Sequence, residues 1–174
     1  MIVAEQKKKE NIIEYIIYLR QIQDLIRSLN FDFAKIKYDL VDNYNTDSET
    51  KIRIENWYRN IAKELTDKNF VVVGDIDEIK NTIALLEDLH QKLLKDPKEH
   101  KHKELYKWAE PNIYNFRNLS RSHNKSDIEV CFDAVYSLFL LRLKKEPISE
   151  ETMQAMQTFI NLLTYLARKY HGIE

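Results

Sequence analysis

The sequence has 174 residues, of which 32% are charged, and its 27 basic and 28 acidic side chains leave a net charge of −1. This balance argues against a protein that binds polyanions in general. Only 2 glycines and 3 prolines are present, too few for β-hairpins or for a glycine-rich phosphate loop. The composition therefore predicts an all-α protein, a single domain over residues 1–174 built as an antiparallel helical bundle of about six to seven helices.

The chain begins with a long apolar stripe at helical spacing, which predicts a first helix over residues 3–29. The stripe consists of Ile12, Tyr15, Ile16, Leu19, Ile22, Ile26 and Leu29. On its flank Arg20, Asp24 and Arg27 alternate in charge, which is typical of a solvated helix face. Asn30 is then predicted to cap a short second helix. The inward residues of that helix are predicted to be Phe33, Ile36 and Leu40.

Four later helix starts are marked by a cap residue followed three positions on by Glu, the arrangement of a capping box. The pairs are Thr46 and Glu49, Asp75 and Glu78, Asp96 and Glu99, and Ser126 and Glu129. Pro97 fits the first helical position after Asp96, and Ser149 is predicted to cap the last helix. These signals predict helices over residues 47–67, 76–95, 97–121, 128–143 and 150–170.

Two local features interrupt this helical pattern. Residues 69–74, with the sequence NFVVVG, are prone to β-structure but have no second strand to pair with. They are therefore predicted to form an extended connection packed on the bundle. Pro111 lies inside the predicted helix 97–121, where it should kink or split the helix. One face is still predicted to continue across that point, with Leu105, Trp108, Ala109, Phe116 and Leu119.

The segment from Ile128 to Leu143, IEVCFDAVYSLFLLRL, is apolar on almost every side and is predicted to be the central helix of the bundle. Asp133 and Arg142 shorten its apolar run too much for a membrane span, so no membrane association is expected. Arg142 nevertheless lies on the apolar face. Two interpretations are open: a side chain that extends along the core to reach water, or a partly buried cation with a carboxylate partner.

The single cysteine, Cys131, lies in this same helix. One cysteine allows no intramolecular disulfide, which suits a reducing compartment, and its burial predicts a small hydrophobe rather than a nucleophile. The N-terminal residues contain no apolar stretch after their basic residues, so no signal peptide is recognised. These features predict a cytoplasmic protein.

Two histidines are predicted to lie near a common end of two helices. His90 follows Glu87 by three positions and points toward the core, and His102 follows Glu99 with the same spacing. The Glu-x-x-His pair is what di-metal bundles take from each of two helices, so these four residues are the candidate metal ligands. The simpler interpretation is a core histidine that hydrogen-bonds a carbonyl or carboxylate, with no metal and no cofactor.

A basic bias marks residues 95–125, where eight basic and four acidic side chains give a local charge of +4. Tyr106 and Tyr114 are interleaved near Arg117 and Arg121, the composition of a surface that could stack on single-stranded nucleic acid. The overall charge balance disfavours nucleic acid. An acidic protein partner is the better interpretation, with Arg117 and Arg121 as candidate binding residues.

Several blocks together resemble a bacteroidete family known as domain of unknown function 4924. The blocks are IIEYIIYLRQIQDLIRSL, ENWY, LLEDLHQKLL and IEVCFDAVYSLFLLRLKKEPISEET. The resemblance extends over nearly the full length. It implies an intracellular domain of this size and assigns no activity and no residue roles.

No catalytic constellation can be placed by spacing, so the sequence does not indicate an enzyme. It predicts a cytoplasmic interaction or scaffolding module without catalytic activity, whose partner is another protein or a second copy in a homodimer. The alternative is a bundle that binds a metal ion or small ligand near Glu87, His90, His102 and Arg142.

Overall fold

The computed structural model describes residues 2–172, and these residues contain eight α-helices, one π-helical turn and no strand. The helices are α1 (Ile2–Glu10), α2 (Ile12–Ser28), α3 (Phe33–Ile36), α4 (Ser48–Asp67), α5 (Asp77–Lys95), α6 (His100–Leu119), α7 (Asp127–Leu143) and α8 (Glu150–Tyr170). The π-helical turn, Lys37–Val41, directly follows α3. The predicted all-α helical bundle is confirmed.

Two compact units divide the chain, residues 1–81 and residues 82–174. The boundary falls within α5, so the first turn of that helix belongs to the first unit and the remainder to the second. That residues 1–174 act as one domain stays a prediction. Within the described residues 2–172, no helix is both long enough and apolar enough to cross a membrane.

The prediction of one helix over residues 3–29 is wrong, because the helix is interrupted at Asn11 and forms two helices, α1 and α2. This residue is extended, with φ −154° and ψ 102°, and its side-chain oxygen accepts the N–H groups of Ile13 and Glu14 at 3.1 and 3.4 Å. Asn11 is thus the N-cap of α2. The apolar stripe begins at Ile12, so the burial pattern was correct although the helix bounds were not.

The caps of the next two helices are each displaced from their predicted residues. Asp32, not Asn30, caps α3, because Asn30 takes a left-handed conformation with φ 51° after the end of α2. Asp47, not Thr46, caps α4 by accepting the N–H of Thr50 at 2.8 Å. Of the residues predicted to point inward, Ile36 is buried and Phe33 is 36% exposed.

A buried polar network joins α2 to the segment before α5. Arg20 donates to Asp75 Oδ2 through Nε at 3.2 Å and Nη2 at 2.8 Å, and Gln23 Nε2 donates to Asp75 Oδ1 at 3.0 Å. Gln23 Oε1 in turn accepts the N–H of Ile76 at 2.9 Å. The predicted solvated row is therefore wrong for Arg20, which is 5% exposed. The predicted cap at Asp75 is also wrong, because both carboxylate oxygens bind side chains of α2.

The connection between α4 and α5 is fixed at its two ends rather than packed along its length. Arg27 donates to the carbonyl of Phe70 at 3.1 Å and to that of Gly74 at 2.5 Å. Gly74 has φ +126° and lies against the Phe70 ring, where an added Cβ would come within 2.6 Å, so only glycine fits. The predicted packing fails for three side chains, Val71, Val72 and Val73, which are all exposed.

In the second unit α6, α7 and α8 pack against one another. Ser126 caps α7 and Ser149 caps α8, as predicted, by accepting the N–H groups of Glu129 and Thr152. The buried residues of α7 lie between Ile128 and Leu138 and include Phe132, whereas Leu143 at the end of the helix is 64% exposed. The apolar character of α7 therefore reflects burial only over its first three turns.

The predicted start of α6 is wrong. The helix begins at His100 rather than Pro97, and the Asp96 carboxylate instead accepts the N–H of Lys98 at 2.8 Å within the preceding turn. Pro111 does not split α6, which continues through it to Leu119. The predicted face is also wrong at two positions, because Trp108 is 67% exposed and Leu119 is 85% exposed.

Candidate functional site

His90 on α5 and His102 on α6 face each other in the interior of the second unit. Each side chain is 0% exposed, and His90 Nδ1 lies 2.8 Å from His102 Nε2. The turn at residues 96–99 reverses the chain and places His102 in the first turn of α6, opposite the last turns of α5. The structure thus brings together the two histidines that the sequence predicted to share one end of two helices.

The hydrogen bond between the rings leaves the two outer nitrogens without a partner. Among the described residues, neither His90 Nε2 nor His102 Nδ1 has a hydrogen bond, although both are buried. A neutral imidazole carries one N–H and one lone pair. Whichever ring donates the central hydrogen bond, the pair therefore leaves one buried N–H group and one buried lone pair unsatisfied.

Each histidine packs against a tyrosine whose hydroxyl group is bound to a carboxylate. Tyr106 lies edge-on to His90, with 4.9 Å between ring centroids, and donates to Asp127 Oδ2 at 2.7 Å. Tyr165 lies 5.8 Å from His102 and donates to Glu99 Oε2 at 2.8 Å.

Two cations complete the surroundings of the pair. Arg117 forms an ion pair with Asp127, and Lys169 forms one with Glu99 at 2.8 Å. Each histidine therefore has the same sequence of neighbours: a tyrosine, a carboxylate and a cation. Because the carboxylates are already bound to cations, neither is free to accept a proton from an imidazole.

These surroundings hold both histidines in the neutral form. Burial and the neighbouring His90 lower the pKa of His102 to about 4, although Glu99 opposes the shift. Burial also lowers the pKa of His90, against the opposing effect of Glu87 and Asp127. Hydrogen bonds from Lys169 and Tyr165 lower the pKa of the Glu99 carboxyl group. At neutral pH the pair is therefore uncharged and Glu99 is ionised.

The four candidate metal ligands do not converge on one point. Glu87 accepts the N–H of Ile128 at 3.2 Å and a hydrogen bond from Gln91 at 2.9 Å, and Glu99 is bound to Tyr165 and Lys169. Across residues 2–172 no three His, Cys, Asp or Glu side chains are grouped as a metal ion would require.

The histidine geometry also fits a metal poorly. Two ligating nitrogens would each lie about 2.0 Å from a zinc ion, whereas the facing nitrogens are only 2.8 Å apart. A ligating histidine normally donates its other N–H to a second partner. Neither outer nitrogen has one among the described residues.

Arg142 does not lie near the histidines. It is exposed near the C-terminal end of α7, where its Nη2 lies 3.7 Å from the sulfur of Met153. At 1.5 Å per residue it is about 22 Å along the helix from Asp127, which is close to the pair. A surface groove of about 270 Å³ between α1 and α2 is lined by neither His90 nor Arg142. Of the two interpretations of Arg142, the partly buried cation with a carboxylate partner is wrong, because the residue is exposed.

Residues 95–125, which carry the basic bias, offer fewer side chains for binding than their sequence indicates. Arg117 donates to Asp127 and, at 3.3 Å, to the carbonyl of Lys125, and its side chain is only 21% exposed. Tyr106 is bound to Asp127 and packed on His90. Arg121 remains exposed, in a left-handed conformation with φ 55° just after α6. Two of the residues proposed for stacking or anion contact are thus already engaged.

The structure instead reveals an exposed apolar row along α6, which the sequence analysis missed. Trp108 is 67% exposed, Tyr114 is 63% exposed and Leu119 is 85% exposed, and the exposed Pro111 lies between them. We call these four residues the α6 surface. The buried side of α6 is provided by His102, Ala109 and Ile113. Ile113 was the available signal, because it places the buried face about 140° away from Trp108.

Comparison with curated proteins and with solved structures finds no match. The family model described as "Domain of unknown function (DUF4924)" matches residues 1–174. That match extends over every residue of the sequence and agrees with the resemblance of the separate blocks. The chain therefore belongs to the family described as domain of unknown function 4924.

Proposed function

We propose that this chain is a cytoplasmic protein-interaction module that binds another protein through the α6 surface, without catalytic activity. The observation that carries the proposal is the exposure of Trp108, Tyr114 and Leu119 on one side of a single helix. Tryptophan and tyrosine are enriched among the residues that dominate binding energy at protein interfaces. Isolated exposed apolar residues are common on proteins, but a row of four along one helix is typical of a binding surface.

The chemistry around the α6 surface supports recognition of a protein. Lys101 and Lys107 are exposed on the same side of the helix, and Glu104 pairs with Lys101 at 3.0 Å. The apolar residues are thus bordered by charged groups, as the centre and rim of an interface are. A deep pocket for a small molecule is not needed for such binding, since a helix face can lie in the groove of a partner.

Two features support the cytoplasmic and non-catalytic parts of the proposal. Cys131 is a buried free thiol, and burial raises the pKa of that thiol well above its usual value, so it is protonated and unreactive. A lone reduced cysteine suits a reducing compartment. His90 and His102 are both 0% exposed, so neither imidazole is presented to a substrate at the surface.

The test compares capture of partners by three forms of the full chain, using lysate from the cell that produces it. The variant Trp108→Ala with Leu119→Ala removes both ends of the α6 surface. The variant Tyr38→Ala removes a comparably exposed aromatic ring elsewhere, 75% exposed in the first unit. We expect partners held by the wild type and the control to bind the α6 variant at least about 30-fold more weakly, since loss of a dominant interface residue removes about 2 kcal/mol.

Because both α6 residues are exposed, the double variant should keep the wild-type melting temperature, which separates lost binding from lost folding. Capture of the same proteins by all three forms would show that the α6 surface is not the interface.

A further inference from the structure

We propose that His90 and His102 form an acid-sensitive latch, in which protonation of the pair releases the end of α5 from α6 while α6 stays packed on α8. We call these two residues the histidine latch. The observation that carries the proposal is a buried contact made by a single hydrogen bond, since His90 Nδ1 and His102 Nε2 lie 2.8 Å apart and both side chains are 0% exposed. The latch is independent of the α6 surface and of its partner.

The number of protons on the two rings decides whether the contact can form. Two neutral imidazoles have four nitrogens, of which two carry N–H groups and two carry lone pairs. The contact uses one of each, so a first added proton still leaves one lone pair that can lie between the rings. A second added proton gives four N–H groups, and two of them then face each other across 2.8 Å. The closed latch therefore accepts one added proton at most, whereas two separated rings accept two.

Two carboxylates lie near His90, but neither binds its ring. Glu87 accepts a backbone N–H group of α7 at 3.2 Å, and Asp127 is bound by Tyr106 and by Arg117. Within residues 2–172, the outer nitrogen of His90 has no hydrogen bond. Burial lowers the pKa of His90, and the two carboxylates oppose that shift without reversing it. A proton on this ring would thus be a buried charge without a partner.

On the other side of the latch, a carboxylate and a cation act on His102 in opposite directions. Glu99 is bound by Tyr165 and by Lys169, each at 2.8 Å. Burial, the neighbouring His90 and Lys169 lower the pKa of His102, to about 4, although Glu99 opposes the shift. Neither ring therefore has a group ready to neutralise an added charge, and the charged pair favours contact with water.

The packing of the second unit indicates which helix moves. The backbone of α6 lies close to those of α7 and α8, whereas α5 approaches α6 less closely and reaches it through side chains. Glu99, directly before α6, also binds α8 through Tyr165 and Lys169. On the side of α5, Leu93 is 8% exposed and helps to hold the helix end in place while the latch is neutral. Separation of the rings should therefore free the end of α5 and leave α6 on α8.

Proton linkage gives the direction and size of the expected effect. The pKa of His102 is about 4 in the closed latch and returns to its usual value of 6.5 when the ring reaches water. Above pH 6.5 neither form binds the proton, and between 6.5 and 4 only the open form binds it, so acid favours opening. Lowering the pH from about 7.5 to about 5 should raise the ratio of open to closed forms about 30-fold.

The first experiment measures hydrogen exchange of backbone amides in the full chain, corrected for the intrinsic pH dependence of exchange. The reporters are the amides of residues 93–95 in the last turn of α5, and the reference is Ile113, which is 1% exposed in α6. Between about pH 7.5 and about pH 5, we expect protection of the reporters to fall about 30-fold and to stay at least about tenfold below that of Ile113, since the opening is local.

The matched variants separate the charge from the contact. His102→Gln keeps a side chain that can hydrogen-bond to His90 but cannot gain a proton, so it should abolish the fall in protection. His123→Gln removes an exposed histidine and should leave the fall unchanged.

Two results from the wild-type chain alone would overturn the latch, so the test does not depend on the folding of any variant. Protection of residues 93–95 that is the same at both pH values would show that charge on the pair does not open the contact. Protection equal to that of Ile113 at both pH values would show that the pair separates only when the whole unit unfolds.

The second experiment measures distances between spin labels to identify the helix that moves. Cys131 is 0% exposed, so labels attach at introduced cysteines. The exposed positions Lys92→Cys and Lys107→Cys join α5 to α6, and Lys107→Cys with the exposed Thr164→Cys joins α6 to α8. From about pH 7.5 to about pH 5, we expect the first distance to lengthen and the second to stay constant. Lengthening of both distances, or of neither, would overturn the release of α5 from α6.

Discussion

The two units solve the same problem, a polar group inside a helical core, in different ways. In the first unit, Arg20 and Gln23 are 5% and 0% exposed, and their side chains bind the Asp75 carboxylate and the N–H of Ile76. In the second unit, His90 and His102 are both 0% exposed and bind mainly each other. The first cluster uses charge and fixes a chain segment, whereas the second is neutral.

The difference lies in how completely the polar atoms are satisfied. Both oxygens of Asp75 accept hydrogen bonds, two of them from one guanidinium group. In the histidine pair, by contrast, one nitrogen of each ring has no partner among the described residues. Near neutral pH, a buried cation destabilises the fold unless its partner is present. A buried imidazole destabilises the fold only when acid gives it a charge. The first cluster should therefore respond to removal of its partner and the second to acid.

The largest effect is expected from Asp75→Ala, which leaves the buried Arg20 guanidinium without this carboxylate. Breaking a buried ion pair by removing one partner typically costs about 3–5 kcal/mol, because the remaining charge is still desolvated. We expect the free energy of unfolding, measured by urea denaturation, to fall by that amount. Asp88→Ala is the matched control, since Asp88 is an exposed carboxylate on α5, and it should change the free energy by less than about 0.5 kcal/mol.

A double variant separates the charge from the packing. Arg20→Met combined with Asp75→Ala removes both charges and keeps an apolar stem at position 20, so it should cost less than Asp75→Ala alone. If the single and double variants lost the same stability, the ion pair would not be what holds this cluster together.

The second prediction concerns acid. His102 has a pKa of about 4 in the folded chain and a usual value of 6.5. Above pH 6.5 neither state binds the proton; between 6.5 and 4 only the unfolded state binds it, so acid destabilises the folded chain in this window. The variant His102→Gln cannot titrate at this position. Between pH 6.5 and pH 4 we therefore expect its free energy of unfolding to fall less than that of the wild type, by on the order of 2–3 kcal/mol.

The measurement is urea denaturation at several pH values, with His123→Gln as the matched control because His123 is exposed. Glu87 and Asp127 lie near His90, and Glu99 and Lys169 lie near His102, and all four side chains are retained in all three proteins. Parallel pH dependence in the wild type and His102→Gln would mean that His102 does not carry the acid sensitivity.

The sequence predicted the helical fold and the histidine pair because both depend on local spacing. The stripe from Ile12 to Ile26 is buried as its period indicates, and helices α4, α7 and α8 begin within one residue of their predicted starts. His90 and His102 meet because each occupies a core position on a helix and the helices are joined by a short turn. Helical spacing of this kind predicts which residues are buried in the three-dimensional structure.

The wrong predictions concern polar residues with more than one possible partner. Asp75 has the sequence of a helix cap, but Arg20 and Gln23, more than fifty positions earlier, compete for its oxygens. Trp108 has the hydrophobicity of a core residue, but Ala109 and Ile113 already occupy the buried side of α6. Long-range partners and a choice between two faces of one helix are not encoded in local patterns.

The smallest effect is expected from Arg142→Ala. Arg142 carries the same positive charge as Arg20. The sequence analysis placed Arg142, and not Arg20, on an apolar helix face. In the structure it is exposed, with one contact from its guanidinium to the sulfur of Met153 at 3.7 Å. No buried charge is left behind when it is removed, so the free energy of unfolding should change by less than about 0.5 kcal/mol. A loss comparable to that of Asp75→Ala in the same urea titration would instead mean that the Arg142 side chain lies in the core, as its position on the α7 sequence pattern indicates.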